Sequence, residues 1–262
     1  MKYKLGFIGA GKMVNHIVKG LLKDSEMQQN ILVTGRNLNK LEKFSADKGV
    51  EVSTDYSRLS ECDIIVNGVS SDQILGVFSE VKEHTRKDSV HISIAAGVTI
   101  SEMETILPDR KIIRNMPNIA VSVQEGVMIM SANDHLSETD RQLTDDIFSR
   151  VGTVAWVEES LMKYTPALTG SSPTYGFLMI EAMADQAVSV GFPRQQAYKL
   201  AAQAIIGAGR LVLETEAHPA VLKDQITTSG GSTIQGVMEL ENQGFRNSII
   251  QAMKAINNAN GK

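Results

Sequence analysis

The sequence predicts an α/β protein in two parts, a doubly wound domain over 1–157 followed by an all-helical domain over 158–262. Three observations carry this reading. Short β-branched runs alternate with helical patterns from residue 4 to about 157, the mark of βαβ units around a parallel sheet. The first of those runs leads directly into Gly9-Ala10-Gly11. After Trp156 the strand signal stops, and helical patterns punctuated by Gly and Pro take over.

In chain order, KLGFIG at 4–9 is a strand followed by a helix over 12–23. ILVTG at 31–35 precedes a helix over 38–47, DIIVNGV at 63–69 one over 72–84, and VHISIAAG at 90–97 one over 100–107. Strands KIIRN, GVMIMS and TVAWV extend the sheet around a helix over 137–149. The second half reads as helices over 160–168, 173–190, 193–214, 219–226, 233–241 and 245–257. Pro173, Pro193 and Pro219 stand where a helix start tolerates proline.

Composition narrows the function classes. With 262 residues, 42% of them apolar, the chain can bury an ordinary core. Its net charge of −4 comes from interspersed acids and bases, with no basic block that would release counterions from a nucleic acid. Cys62 is the single cysteine, and the five histidines lack metal-ligand spacing, so neither a disulfide nor a metal site is expected. MKYKLGFIGAGKM has no apolar export region, which points to the cytoplasm. The most hydrophobic helical stretch, 175–192, carries Glu181 and Asp185 and is read as a buried or interface helix, with no membrane partner.

Strand, glycine turn and helix together give GFIGAGKMV the context of a dinucleotide loop, with the bulky Val14 at the third small-residue position. That bulk predicts a helix set slightly off the sheet. Gly9, Ala10, Gly11, Lys12, Met13 and Val69 are cofactor-binding candidates. The second strand ends in Val33-Thr34-Gly35-Arg36-Asn37, with no acid to accept from a ribose 2′-hydroxyl. Arg36 offers a planar fork for a phosphate, aided by Thr34 and Asn37, so the expected cofactor is NADP, as NADPH. Asn115, Met116, Pro117 and Asn118 follow a strand at the sheet edge and join the cofactor candidates.

ITTSGGSTIQGVMEL, 226–240, sets hydroxyls and Gly230-Gly231 before a helix. Two readings fit it: a helix start capped by Ser229 or Ser232, or backbone N–H groups left open for a small anion.

Three segments, IIRNMPN, PALTGSSPTYGFLMIEAMADQAVSVGFPR and ITTSGGSTIQGVMELENQGFR, together with the GFIGAGKM start, resemble the pyrroline-5-carboxylate reductase family across essentially the whole chain. The resemblance implies a Rossmann domain followed by a helical dimerisation and substrate domain. It implies a homodimer, with further assembly in some members, and NADPH-dependent reduction of 1-pyrroline-5-carboxylate to L-proline. It places substrate binding at Gly230, Gly231, Ser232 and Thr233. The substrate carboxylate would lie on the backbone N–H groups there and the Thr233 hydroxyl, the catalytic candidate, would face the imine nitrogen. Where the family commonly has Lys-Pro-Gln, this chain has Ser70, Ser71, Asp72 and Gln73, so a lysine near the cofactor is missing. Ser172 and Thr174 around Pro173, and Ser229 before Gly230, are further departures. A noncatalytic paralogue and a reductase of a related cyclic imine stay open as alternatives.

Overall fold

The computed structural model describes residues 4–260. Its sheet has eight strands: β1 (Leu5–Ile8), β2 (Ile31–Thr34), β3 (Glu51–Ser53), β4 (Ile64–Asn67), β5 (Val90–Ser93), β6 (Lys111–Pro117), β7 (Gly126–Ala132) and β8 (Gly152–Trp156). They lie in the order β3-β2-β1-β4-β5-β6-β7-β8, all parallel to their neighbours except at the antiparallel β6–β7 pair. The order reverses between β1 and β4, and in such sheets a dinucleotide binds outside the carboxyl ends of the strands at that reversal. β3 was not expected from the sequence. Its three residues carry no apolar run, and it exists because Val52 and its neighbours pair with β2.

The first five helices are α1 (Lys12–Leu21), α2 (Leu38–Lys48), α3 (Ile74–Val81), α4 (Ile100–Glu104) and α5 (Glu138–Phe148). Parallel strands buried on both faces read as continuous apolar runs, and alternate residues of each strand go to opposite cores. Leu5, Phe7, Ile64 and Val66 pack with Val14, Ile17 and Leu21 of α1, Phe44 of α2 and Phe148 of α5. Ile8 and Ile65 pack with Ile74 and Phe78 of α3 and Met103 of α4.

Local chemistry sets the helix ends. Asn37 caps α2 through its Oδ1, which accepts from the Lys40 N–H at 3.0 Å, and Gly49 stops it at φ 68°. Thr99 with Glu102 and Ser137 with Asp140 form capping boxes at α4 and α5.

The 160–168 segment departs from the sequence expectation. A 3-10 helix (Glu159–Tyr164) is followed by a π turn (Pro166–Gly170), because Pro166 has no N–H to continue an α-helical ladder. Met162, Thr165 and Ala167 are buried there, and the Asn118 amide donates to the Thr169 carbonyl at 3.0 Å. This segment therefore clusters with the sheet. The compact units divide between Gly170 and Ser171, later than the 157/158 boundary read from the sequence.

The second unit, Ser171–Ala259, holds α6 (Ser172–Ser189), α7 (Arg194–Thr215), α8 (Pro219–Ile226), α9 (Ser232–Asn242) and α10 (Phe245–Asn260). α6 and α7 meet through small residues, Ala184, Ala197 and Ala201, which are buried. The large apolar residues go the other way: Phe177 and Leu178 are each 60% exposed and Leu213 is 74% exposed. A monomer rarely leaves that much apolar surface open.

One core residue works against stability. His91 on β5 is fully buried, packs edge-on against Phe78 at 6.0 Å between ring centroids, and has no hydrogen-bond partner on either ring nitrogen. Burial, with a contribution from Arg110, pushes its pKa down to about 3. The unfolded chain therefore takes up a proton below about pH 6.5 that the folded protein refuses, and stability falls between pH 6.5 and 3. We expect His91→Leu to leave stability at neutral pH unchanged or higher and to flatten its decline between pH 6.5 and 4, by a few kcal/mol at the acid end. Urea titrations of both proteins at pH 7.5 and 4.5 check this, and parallel pH profiles would refute it.

Candidate active site

The glycine turn after β1 is built for close approach. Gly9 adopts φ 92°, a conformation that side chains disfavour, and its N–H donates to the Thr34 carbonyl at 2.7 Å, tying the turn to β2. Gly11 is the N-cap of α1 and supplies no side chain, and the first turn has no acidic residue. The leading N–H groups of α1 thus remain open beside a phosphate-sized approach. Val14 at the third small-residue position is fully buried, and its bulk is taken up by Gly68. A Cβ on Gly68 would lie 2.2 Å from Val14 Cγ2.

A cleft of about 370 Å³ opens beside this turn, lined by Gly9, Ala10, Gly11, Arg36, Asn37 and Val69 among the sequence candidates. Lys40, Tyr56, Ser70 and Gln73 line it too. No carboxylate lines it, and the edge just beyond β2 carries Arg36 and Lys40. That donor set fits a 2′-phosphate and leaves a free 2′-hydroxyl without an acceptor. Lys40 lies in the first turn of α2, beyond the loop that carries Arg36, so its place beside Arg36 comes from the fold and not from the loop motif. Tyr56 follows the unexpected β3 and was equally hidden.

Thr34 is not available to this cleft. It is fully buried and its hydroxyl donates to the Phe7 carbonyl at 3.1 Å, because it is the last inward-facing residue of β2. The Asn37 Oδ1 is engaged at the α2 cap, which leaves its amide N–H groups as donors. Lys12 is exposed on a neighbouring hollow with Asn15 and His16, and Met13 packs partly against the core. Ser70 stands in the cleft where the family commonly has a lysine, and Ser71 Oγ donates to the Ala96 carbonyl at 2.7 Å.

Asn115, Met116, Pro117 and Asn118 close β6 at the carboxyl edge, outside the lining of the glycine-loop cleft. Asn115 is buried with its Oδ1 unpartnered. Asn118 is largely engaged in the fold: its Oδ1 accepts from Ala120 and Val127 N–H, and its amide donates to the Thr169 carbonyl.

In the helical unit, α9 begins at Gly231 with no side-chain cap, so neither Ser229 nor Ser232 caps it. Gly230 at φ 70° turns the chain, and Gly231 N–H donates to the Thr228 carbonyl at 3.0 Å. Ser232 and Thr233 then open the helix, exposed, with their N–H groups at its positive end. The open start is the anion reading of this segment. Asp185 pairs with Arg194, so Glu181 and Asp185 are not a two-carboxylate acid/base site. Cys62 is fully buried against Gly6, and burial pushes its thiol pKa up to about 12, which makes it a packing residue.

Comparison with known proteins gives concordant matches. Residues 159–262 match the family model for pyrroline-5-carboxylate reductase dimerisation, and residues 4–97 match one described as NADP oxidoreductase, coenzyme F420-dependent. A pyrroline-5-carboxylate reductase of Escherichia coli (strain K12) is 38% identical over 97% of this chain and 95% of its own length. The structure of a pyrroline-5-carboxylate reductase from Coxiella burnetii superposes with a TM-score of 0.90 at 34% identity, covering 100% of this chain and 98% of that one. A Plasmodium falciparum pyrroline carboxylate reductase with NADP bound gives a TM-score of 0.85 at 28% identity, over 99% of this chain and 98% of that one.

The Val14–Gly68 exchange makes a direct test of the glycine turn. Gly68→Ala should destabilise the protein by about 1–3 kcal/mol through overpacking. Val14→Ala added to it should restore much of the loss, so the two effects are not additive. Thermal unfolding of the two single variants and the double variant measures the coupling, and strict additivity would show that the two side chains do not compete for the same space.

Proposed function

The chain belongs to the pyrroline-5-carboxylate reductase family, and we propose that its glycine-loop cleft, with Arg36 and Lys40, selects NADPH while the start of α9 holds the substrate. The reaction is the NADPH-dependent reduction of 1-pyrroline-5-carboxylate to L-proline. The single observation that carries the cofactor assignment is the acid-free cleft edge with Arg36 and Lys40 in it.

NADPH, when bound, supplies the hydride that reaches the imine carbon. The chain's own residues hold and polarise. The N–H groups of Ala10 to Met13 favour pyrophosphate at the positive end of α1, and the Arg36 fork takes the 2′-phosphate. At α9 the open N–H groups after Gly231 favour the substrate carboxylate. Hydride arrival places electron density on the ring nitrogen, and the Thr233 hydroxyl meets it with a hydrogen bond. A hydroxyl is a weak acid, so Thr233 orients and relays, and the proton itself comes from water or from an already protonated imine. Gly230, Gly231 and Ser232 shape this seat. Asn115 to Asn118 form the edge against which the nicotinamide end is placed.

The chain forms a homo-oligomer, and we assign a dimer built by the helical half, 158–262. Its exposed Phe177, Leu178 and Leu213 support this. No helix among the described residues is long and apolar enough to cross a membrane. The unpaired, buried Cys62 supports a reducing compartment, the cytoplasm.

Arg36→Ala should raise KM for NADPH about tenfold or more while leaving KM for NADH within about twofold, since a charge-assisted phosphate contact is lost from one cofactor only. Lys40→Ala should act in the same direction. Steady-state rates with each cofactor measure both, and a wild-type preference for NADH would overturn the assignment.

Thr233→Val keeps the side-chain shape and removes the hydroxyl. Folding and NADPH binding should survive, while kcat falls by a factor corresponding to about 2–4 kcal/mol, the usual loss for one preorganised donor. Single-turnover rates of NADPH oxidation are the measurement. An unchanged chemical step would mean that the hydroxyl is not needed at the nitrogen.

A further inference from the structure

Strand register aligns Asn67 of β4, Ser93 of β5, Arg114 of β6 and Ser131 of β7 in one buried row at the carboxyl end of the sheet. Arg114 is the one full charge in that row. A guanidinium with its side chain 9% exposed has lost most of its hydration and must be met by a carboxylate. Glu159 meets it: its Oε1 accepts from Arg114 Nη1 at 3.2 Å and, at 2.7 Å, from the backbone N–H of Ile100. Ile100 is the first residue of α4, directly after the loop that leaves β5. Glu159 therefore ties together three separate stretches: the β5–α4 loop, the end of β6, and the chain beyond β8.

We propose that Glu159 is a positioning residue that fixes the nicotinamide-side edge of the cofactor site by holding Arg114 and Ile100 at once. The argument rests on the cofactor reading above. In a sheet of this order the half built from β4, β5 and β6 carries the second mononucleotide, and the tied segments are the carboxyl ends of that half. Arg114 immediately precedes Asn115 to Asn118, so its placement sets theirs. Without the carboxylate, Arg114 would be left as an unpaired buried charge and would turn outward toward water, taking the end of β6 with it. Neither residue belongs to the glycine loop or to the α9 start, and neither contacts the 2′-phosphate edge.

The test is equilibrium binding of NADPH to the full-length protein, followed by cofactor fluorescence, with thermal unfolding recorded in parallel. Glu159→Ala should raise Kd for NADPH about five- to tenfold. Glu159→Gln, whose amide oxygen can still accept from both donors but carries no charge to offset Arg114, should give a Kd between those of wild type and Glu159→Ala. Kd for an adenosine 2′,5′-bisphosphate probe, which lacks the nicotinamide half, should be the same in all three proteins. If Glu159→Ala does not fold, Glu159→Asp, which keeps the charge but falls one methylene short of Ile100, gives the same readout. A lowered unfolding temperature with unchanged NADPH affinity would overturn the inference, because the pair would then serve the fold alone. Equal weakening of NADPH and of the bisphosphate probe would overturn it too, by showing a general loss of the site. Failure of wild-type protein to bind NADPH would strike at the cofactor reading instead, and so the two failures are distinguishable.

Discussion

An uncapped helix start beside a glycine turn is the constraint on which the proposed chemistry depends, and α1 and α9 both have it. α2, α4 and α5 begin at Asn37, Thr99 and Ser137, each of which spends a side-chain oxygen on the first backbone donors. α1 and α9 begin at Gly11 and Gly231, which spend none. Glycine at an N-cap costs only a few tenths of a kcal/mol relative to a good cap, so the fold loses little by leaving these donors free. What it gains is a fixed positive end that needs no titratable group. Gly9 and Gly230 belong to the same arrangement, since both use positive φ to turn the chain out of the helix path. At Gly9 the requirement then spreads: the turn brings α1 down onto β4, and Gly68 must lack a Cβ because Val14 already occupies its space. Bulk at position 14 and its absence at position 68 are one packing decision, and the sequence pattern of the loop shows only half of it.

Much of this was legible in the sequence because it is local. The four βαβ units announce themselves by apolar runs broken by glycine, and the second strand's missing acid is read directly from Val33 to Asn37. What was not legible arises from pairing at a distance. β3 has too few apolar residues to be read alone and is a strand because β2 offers it partners. Tyr56 reaches the cleft only because β3 exists. Thr34 has the composition of a phosphate ligand, but its place at the end of a buried strand turns its hydroxyl onto Phe7. Asn118 likewise has the chemistry of a ligand and spends most of it on Ala120, Val127 and Thr169. The 160–168 stretch fails as an α-helix through Pro166, a local signal whose effect depends on Met162 and Ala167 being drawn into the sheet unit.

The helical half inverts the usual relation between size and burial. Alanines are its buried residues, and large apolar side chains are its exposed ones. Two helices can approach closely through small residues, so α6 and α7 consume little apolar surface against each other and reserve the larger side chains for a different contact. A helix pair of that kind is unfinished alone. Its amphipathic pattern in the sequence fits a buried helix and an interface helix alike, and the exposure of Phe177, Leu178 and Leu213 favours the interface. The dimerisation description matched by 159–262 accounts for that surface in terms the single chain already supplies.

Charge distribution follows a similar logic of local difference. The whole chain carries −4, which would repel a polyanionic cofactor at long range. The cleft reverses this sign locally: Arg36 and Lys40 line it and no carboxylate does, while Lys12 and Lys43 border the adjoining hollows, where the carboxylate, Asp47, is paired with Lys48. At physiological salt a charge is felt over about 8 Å, so the approaching cofactor senses the cleft and its rim more than the distant acids. On the reading proposed above, selection for the 2′-phosphate would rest on side chains beyond the end of β2, where charge sets it and one residue at a time can change it. On the same reading, recognition of the pyrophosphate would rest on backbone N–H groups from Ala10 to Met13, set by the turn itself. The two parts of cofactor binding would then be separable, one carried by side chains and the other by the conformation of the chain.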